Sequence, residues 1–251
     1  MRGVSKPVAR FMKTLAQAFL SVRGRCNFRN PARYVPVCEH TLSRGFGRRF
    51  DFVGFARVFF ELFLPNDTFV AALYTTFVTK SGKHTFGKDK FFSALCGKAI
   101  GGLELWVLAL VSVEKKKAFS LGVRQSAAGL KDKLAFYAAQ VEQAKDFLLK
   151  KTTILVADGL YAKQAFVSAV RAIGLHLVSW LRTDANLRWL YQGEQKAKGR
   201  PRKYAGKLDW ADPTLWHKLD FINALENGTE LYTAMVWSMC LKRRIRLAVL
   251  R

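Results

Sequence analysis

The residue with the clearest chemical setting is Asp158, in the stretch TTILVADGLYAK (Thr152–Lys163). The apolar run Ile154–Ala157 reads as a short strand buried on both faces and stopped by a turn at Asp158-Gly159. Ala162, Phe166, Val170 and Ile173 then keep helical spacing, Gly174 ends that helix, and Leu175–Leu181 reads as a second strand. Such a β–turn–α–β unit puts a carboxylate at the C-terminal end of a strand, where open α/β sheets hold their reacting groups. The same Asp-Gly pair is also ordinary turn chemistry, and this stretch alone leaves both readings open. The other reactive side chains form weaker patterns. Cys26, Cys38, Cys96 and Cys240 contain no CxxC pair, and Cys38-x-His40 with Cys26 fits no zinc spacing, so they read as buried or free cytosolic thiols.

The elements that must position Asp158 belong to a chain of 251 residues, enough for one large domain or two small ones. Half the residues are apolar and 13% are aromatic, led by 20 Phe, which excludes a disordered chain. The formal net charge is +24, from 42 Lys and Arg against 18 Asp and Glu. Folding gains nothing from that excess; nucleic acid is its usual partner and an acidic membrane surface the rival. No run reaches the ~18 apolar residues of a membrane span. Lys13 and Gln17 interrupt the apolar N-terminus, which reads as an amphipathic helix rather than a signal core.

Residues 1–50 hold 11 Lys or Arg and one acid, Glu39. Pro7 can open a helix, after which Val8, Phe11, Met12, Leu15, Phe19 and Leu20 keep one stripe. Asn27–Tyr34 is a connector, and Pro36–Phe46 and Phe50–Phe63 are helical. Three small basic helices suit a helix-turn-helix-like unit or a solvated cap, and both stay open. Pro65, Asn66 and Asp67 mark a boundary. Strands are expected at Phe69–Val78, Leu103–Val113 and Ala118–Val123, a helix over Leu130–Lys150, and then the unit around Asp158. The order β, β, β, α, β, α, β fits an α/β fold with a mixed, RNase H-like sheet, and other mixed folds as well. Past Arg182 the pattern loosens. Gln195–Lys207 has six basic residues and no acid, and reads as a phosphate-tracking segment or a solvated hairpin tip. Tyr232–Trp237 and Arg244–Leu250 are strands. The expected organisation is a basic helical region over 1–65 and an incomplete RNase H-like domain over 66–251, with a basic insertion around 183–230.

Several pieces recur in one order. Asn27-Phe28-Arg29-Asn30, Ala32-Arg33-Tyr34, Glu39 and Thr41 come first. Thr76-Phe77-Val78, Lys80-Ser81-Gly82-Lys83 and Thr85 follow, then Gly102-Leu103-Glu104, Leu108-Ala109-Leu110-Val111 and Val123-Arg124-Gln125. Asp158-Gly159, Tyr161-Ala162-Lys163, Leu181-Arg182, Asp184-Ala185-Asn186-Leu187-Arg188 and Gly199-Arg200-Pro201-Arg202-Lys203-Tyr204 with Gly206-Lys207 complete the set. Over roughly 27–249 this set resembles the DDE transposases of bacterial insertion sequences.

The resemblance implies a chemistry of two Asp on neighbouring strands and a Glu on a later helix. Together they hold two Mg²⁺ ions for cutting and joining phosphodiesters. The second Asp falls on Asp158, the expected catalytic and metal-holding residue. The first falls on Tyr74, whose phenol is neutral near pH 7, and Asp67 is a decoy seven residues away. The chain stops at Arg251 before any Glu-bearing helix, so a C-terminally truncated, inactive copy is expected, with Mg²⁺ binding in doubt. Lys80, Lys83, Arg200, Arg202 and Lys203 are candidate nucleic-acid contacts. The implied partners are element-end and target DNA, with room for a homo-oligomer in a synaptic complex and no membrane. The implied setting is the bacterial cytoplasm, at the nucleoid. The alternatives are a non-catalytic DNA-binding remnant or repressor of related elements, and an RNA-binding protein.

Overall fold

The computed structural model describes residues 5–48, 50–64, 67–82, 84–93, 96–126, 129–225 and 227–251. Lys83, Glu226 and the expected Pro65-Asn66 boundary lie outside the described residues. The chain divides into two compact units, Met1–Asn66 and Asp67–Arg251.

The first unit is helical. α1 (Lys6–Ser21) carries Pro7 in its first turn, where the missing N–H has no helical partner to lose. A 3₁₀ turn (Pro31–Tyr34), α2 (Glu39–Phe46) and α3 (Phe52–Phe63) follow. Both later helices start inside the ranges expected from spacing. α3 begins where Asp51 caps it, the carboxylate accepting from the Gly54 N–H at 2.8 Å. The connector is locked by its own asparagines. Asn27 Oδ1 accepts from the Asn30 N–H at 2.9 Å, and the Asn30 amide donates to the Arg23 and Arg25 carbonyls at 2.8 and 3.0 Å. α2 lies close to α1 because Gly45 has no Cβ; one would collide with the Phe11 ring.

The second unit holds two sheets. The first contains β1 (Phe69–Thr79), β2 (Asp89–Ser93), β3 (Lys98–Ser112) and β4 (Lys117–Gln125), all antiparallel neighbours around β3. α4 (Lys133–Gln143) and α5 (Lys145–Lys151) lead into β5 (Ile154–Ala157), α6 (Gln164–Ala172) and β6 (His176–Ser179). β5 pairs parallel with both β1 and β6. Among the described residues this is a six-stranded mixed sheet in which β2 and β4 share the outer edge of β3. The mixed α/β fold is as the sequence indicates, with four differences in this sheet. The expected helix over Leu130–Lys150 is two helices, broken at Ala144, a residue whose type does not announce a break. It starts at Lys133 because Asp132 caps it through the Ala135 N–H. β2 is an added strand. The strand after Gly174 is shorter than Leu175–Leu181, and Gly174 itself takes φ +92°, the left-handed conformation that ends the preceding helix.

Alternation along the strands decides what is buried. Ala71 and Leu73 of β1, Leu155 and Ala157 of β5, and Trp106, Leu108 and Leu110 of β3 face one side and are buried. Tyr137 and Val141 of α4, Phe147 and Leu148 of α5, and Phe166 and Val170 of α6 are buried as well. Tyr74, Val156 and Val178 face the other side and are exposed.

The second sheet comprises β7 (Leu187–Leu190), β8 (Tyr204–Lys207), β9 (Asp220–Ala224), β10 (Glu230–Ser238) and β11 (Arg243–Leu250). It is antiparallel in the order β11-β10-β7-β8, with β9 also on β10. The basic segment past Arg182 therefore forms one sheet with the last two strands. It has its own apolar cluster of Leu187, Leu208, Leu215, Leu219, Ala234, Val236 and Leu247.

The face assignment is testable at adjacent positions of β5. Leu155 is fully buried and Val156 is 39% exposed. Leu155→Ala is expected to cost about 2–5 kcal/mol by denaturant unfolding, and Val156→Ala under about 1 kcal/mol. Equal losses would contradict the assignment.

Candidate functional site

Asp158 stands at the C-terminal end of β5, exposed, where the sequence puts it. Three interactions fix the backbone there. Its Oδ1 accepts from the Leu160 N–H at 2.8 Å, opening a 3₁₀ turn over Gly159–Tyr161. Its carbonyl accepts from Ser179 Oγ at 2.6 Å, tying the end of β5 to β6. Gly159 passes close to β6, since a Cβ there would lie 3.3 Å from the Trp180 carbonyl oxygen. Asp158 thus serves the turn, and its carboxylate keeps acceptor capacity beyond the one bond to Leu160.

Tyr74 is its neighbour. β1 and β5 pair Ala71 with Leu155, Ala72 with Val156 and Leu73 with Ala157, so the same register carried one step further pairs Tyr74 with Asp158. Both project from the uncovered face. The position that the resemblance assigns to a first carboxylate is therefore beside Asp158, occupied by a tyrosine. Asp67 is elsewhere, bonded to Lys115 Nζ at 2.9 Å, and that bond holds its carboxyl below the usual range.

Glu104 of β3 is on the opposite face of the sheet. It pairs in register with Phe77 and accepts from Tyr137 Oη at 2.7 Å and Lys133 Nζ at 3.1 Å. Burial pushes its carboxyl up, but the bonds from Tyr137, Ser126 and Lys133 outweigh it and leave the value lowered. Tyr161 continues this network, its hydroxyl 3.2 Å from Thr75 Oγ1 and its ring 5.6 Å from that of Tyr137. Burial pushes the Tyr161 phenol up to about 12. The network braces β1 against the turn that carries Asp158.

A pair of divalent ions needs several oxygen donors converging on one point. Among the described residues no three His, Cys, Asp or Glu side chains converge. Asp158 with Tyr74 beside it does not fit such a pair.

The basic candidates separate into two places. Lys80 follows β1 and is exposed; its backbone N–H bonds the Gly101 carbonyl. Lys88 Nζ donates to the carbonyls of Ser81 and Gly82 and holds that turn. Arg200 is exposed on the loop between β7 and β8. Arg202 closes that loop, exchanging two bonds with Gln195 and lying 4.7 Å from the Tyr191 ring. Lys203 lies 5.2 Å from the Trp237 ring.

The structure adds residues that the sequence reading did not single out as contacts. β7 pairs Arg188 with Lys207 of β8 and with Trp237 of β10, and Trp237 pairs with Arg244 of β11. Lys207, Arg188, Trp237 and Arg244 thus form one row across four strands, on the face opposite the Val236–Leu247 cluster. Arg246 lies one row along, paired with Met235. The Arg188 guanidinium sits 5.0 Å from the Tyr204 ring, and its Nε is buried without a hydrogen-bond partner. The alternation Arg244, Ile245, Arg246, Leu247 was the available signal.

Fold and site together define a mixed α/β domain whose exposed carboxylate ends the central parallel strand. A family model described as DDE superfamily endonuclease matches residues 54–239, about three quarters of the chain. The chain belongs to that family. Among solved structures it is similar to a Ciona intestinalis endonuclease V in complex with a 24mer DNA containing an inosine followed by a ribo-adenosine. That match has 14% identity and a TM-score of 0.21, over 38% of this chain and 36% of that one. It is also similar to the Mos1 mariner paired end complex with Mn, at 9% identity and a TM-score of 0.28, over 70% of this chain and 61% of that one. The chain therefore spans less than two thirds of either relative. No curated protein matches it. No helix among the described residues is long and apolar enough to cross a membrane.

The Glu104 network predicts a pH-dependent cost. A carboxyl lowered by folding stabilises the fold above its unfolded value of about 4.3, and that contribution is lost as pH falls through the folded value. Tyr137→Phe is expected to destabilise by about 1–2 kcal/mol at pH 7. The loss should shrink below pH 4, as read by urea unfolding across pH. A pH-independent loss would point to packing alone.

Proposed function

We propose that the chain is a DDE-type transposase in fold and descent that binds DNA and, unaided, does not cut it. The row Lys207–Arg188–Trp237–Arg244 carries the DNA reading. Strands about 4.8 Å apart spread these side chains over about 14 Å of sheet surface, cations with an aromatic among them. Such a face can neutralise successive phosphates while its rings offer apolar contact. Lys203 and Arg200 extend it along the loop, and the net charge of +24 favours the same partner. Arg202 is partly engaged in closing that loop, so it acts through loop shape as well as charge. Lys80, just past β1, is proposed as a separate contact, as is Lys83, and a multimer on element-end and target DNA remains part of this reading.

Catalysis in the family is metal-dependent, with Mg²⁺ the expected ion. Its ions stabilise the attacking and leaving oxygens of a phosphodiester. In this chain Asp158 is the one residue proposed for that role. A lone exposed carboxylate leaves magnesium largely hydrated. Tyr74 therefore favours binding without cleavage as the state of this chain.

Two experiments test this reading. Affinity for duplex DNA should fall with salt, with a log–log slope of about −0.9 per phosphate contact, and Arg188→Ala with Arg244→Ala should flatten it by about two contacts. A salt-independent affinity would remove DNA as the partner. In the second, the full chain with Mg²⁺ or Mn²⁺ should leave element-end DNA intact, with Asp158→Ala as control. Metal-dependent nicking that Asp158→Ala abolishes would show that further donors reach Asp158.

A further inference from the structure

The middle of β1 and the C-terminal ends of β5 and β6 carry one more row. β5 and β6 pair Val156 with Val178 and Ala157 with Ser179, so the next step places Trp180 beside Asp158. With Tyr74 on the other side, the row across β1, β5 and β6 is Tyr74, Asp158, Trp180. Its two rings are 60% and 75% exposed. The row behind it on the same face is Ala72, Val156 and Val178, an apolar floor. Strand spacing of about 4.8 Å puts the two aromatic positions about 10 Å apart, with the carboxylate between them.

We propose that this row binds an unstacked nucleobase bearing an exocyclic amino group, cytosine above all, presented by a single strand of DNA. The inference rests on DNA being the chain's partner. A base has the two faces that flanking rings can stack on and the amino edge that a carboxylate accepts from. Other occupants fit less well. A phosphate would meet the Asp158 charge, and a metal pair lacks donors. A free organic cation would be disfavoured by a chain of net charge +24. Thymine lacks an exocyclic amino group, and its one N3–H donor lies between two carbonyl oxygens that a carboxylate repels. The tyrosine that removes a metal ligand thereby supplies one wall of a different site.

The test uses the full chain in EDTA, with fluorescence anisotropy on labelled oligo-dC, oligo-dT and a duplex. Oligo-dC should bind at least about fivefold more tightly than oligo-dT, the low end of one specific base contact. Trp180→Ala should weaken oligo-dC binding about tenfold, the scale of one base–aromatic stack, and leave duplex affinity unchanged. Asp158→Ala should bring oligo-dC down to the oligo-dT level. Unchanged single-strand affinity in Trp180→Ala and Tyr74→Ala, with duplex binding intact, overturns this inference alone. So does displacement of oligo-dC by millimolar tetramethylammonium, which would assign the row to a cation. Failure to bind any of the three DNAs overturns the DNA reading beneath it.

Discussion

The parallel pairing of β5 between β1 and β6 is the constraint on which the second unit depends. β5 is four residues long and gains its order from neighbours on both sides. Because side chains alternate, one register decides two things together. It sends Leu155 and Ala157 into the buried layer with Ala71 and Leu73, and it sends Asp158 out beside Tyr74 and Trp180. A slip by one residue would exchange the two sets, burying a carboxylate and exposing two core positions. Core and site are thus held by the same hydrogen-bond ladder. The bonds that Leu160 N–H and Ser179 Oγ donate to Asp158 finish that ladder at its exposed end.

The same alternation builds the second sheet. Ala234, Val236 and Leu247 close its apolar side, and the intervening Trp237, Arg244 and Arg246 are left on the other. Packing on one side therefore creates the basic surface on the opposite side without any separate device. Arg243 Nη2 donates to Ser168 Oγ at 2.6 Å, linking β11 to α6 and so to the first sheet. The arginines of β11 also suit its place at the edge, where charge discourages pairing with another chain.

The α/β class, the strand-end position of Asp158 and the strand over Leu103–Val113 could be read from the sequence, because continuous apolar runs and a helical period are strong local signals. The alignment of Tyr74 with Asp158 came from motif order, and pairing register places them side by side. Less could be read past Arg182. β7, β8 and β9 are four or five residues each, too short for alternation to stand out. The row of Lys207, Arg188, Trp237 and Arg244 was out of reach for a different reason. Its members lie far apart in the chain and meet only through antiparallel register, which local pattern does not encode. Trp180 was hidden in the same way, since its importance comes from its neighbours on β5 and β1 rather than from the residues next to it.

The exposure of Tyr74 has a consequence for how the chain changes over generations. A side chain that faces solvent from the open face of a sheet contributes little to folding, so selection for a stable fold does not guard its identity. Tyrosine and aspartate codons differ by a single base. A lineage can therefore pass between a carboxylate and a phenol at this position in one step, in either direction, while the core beneath keeps the strands in place. The scaffold can hold its shape through such a change, and it can present whatever residue arrives at that position to a new ligand.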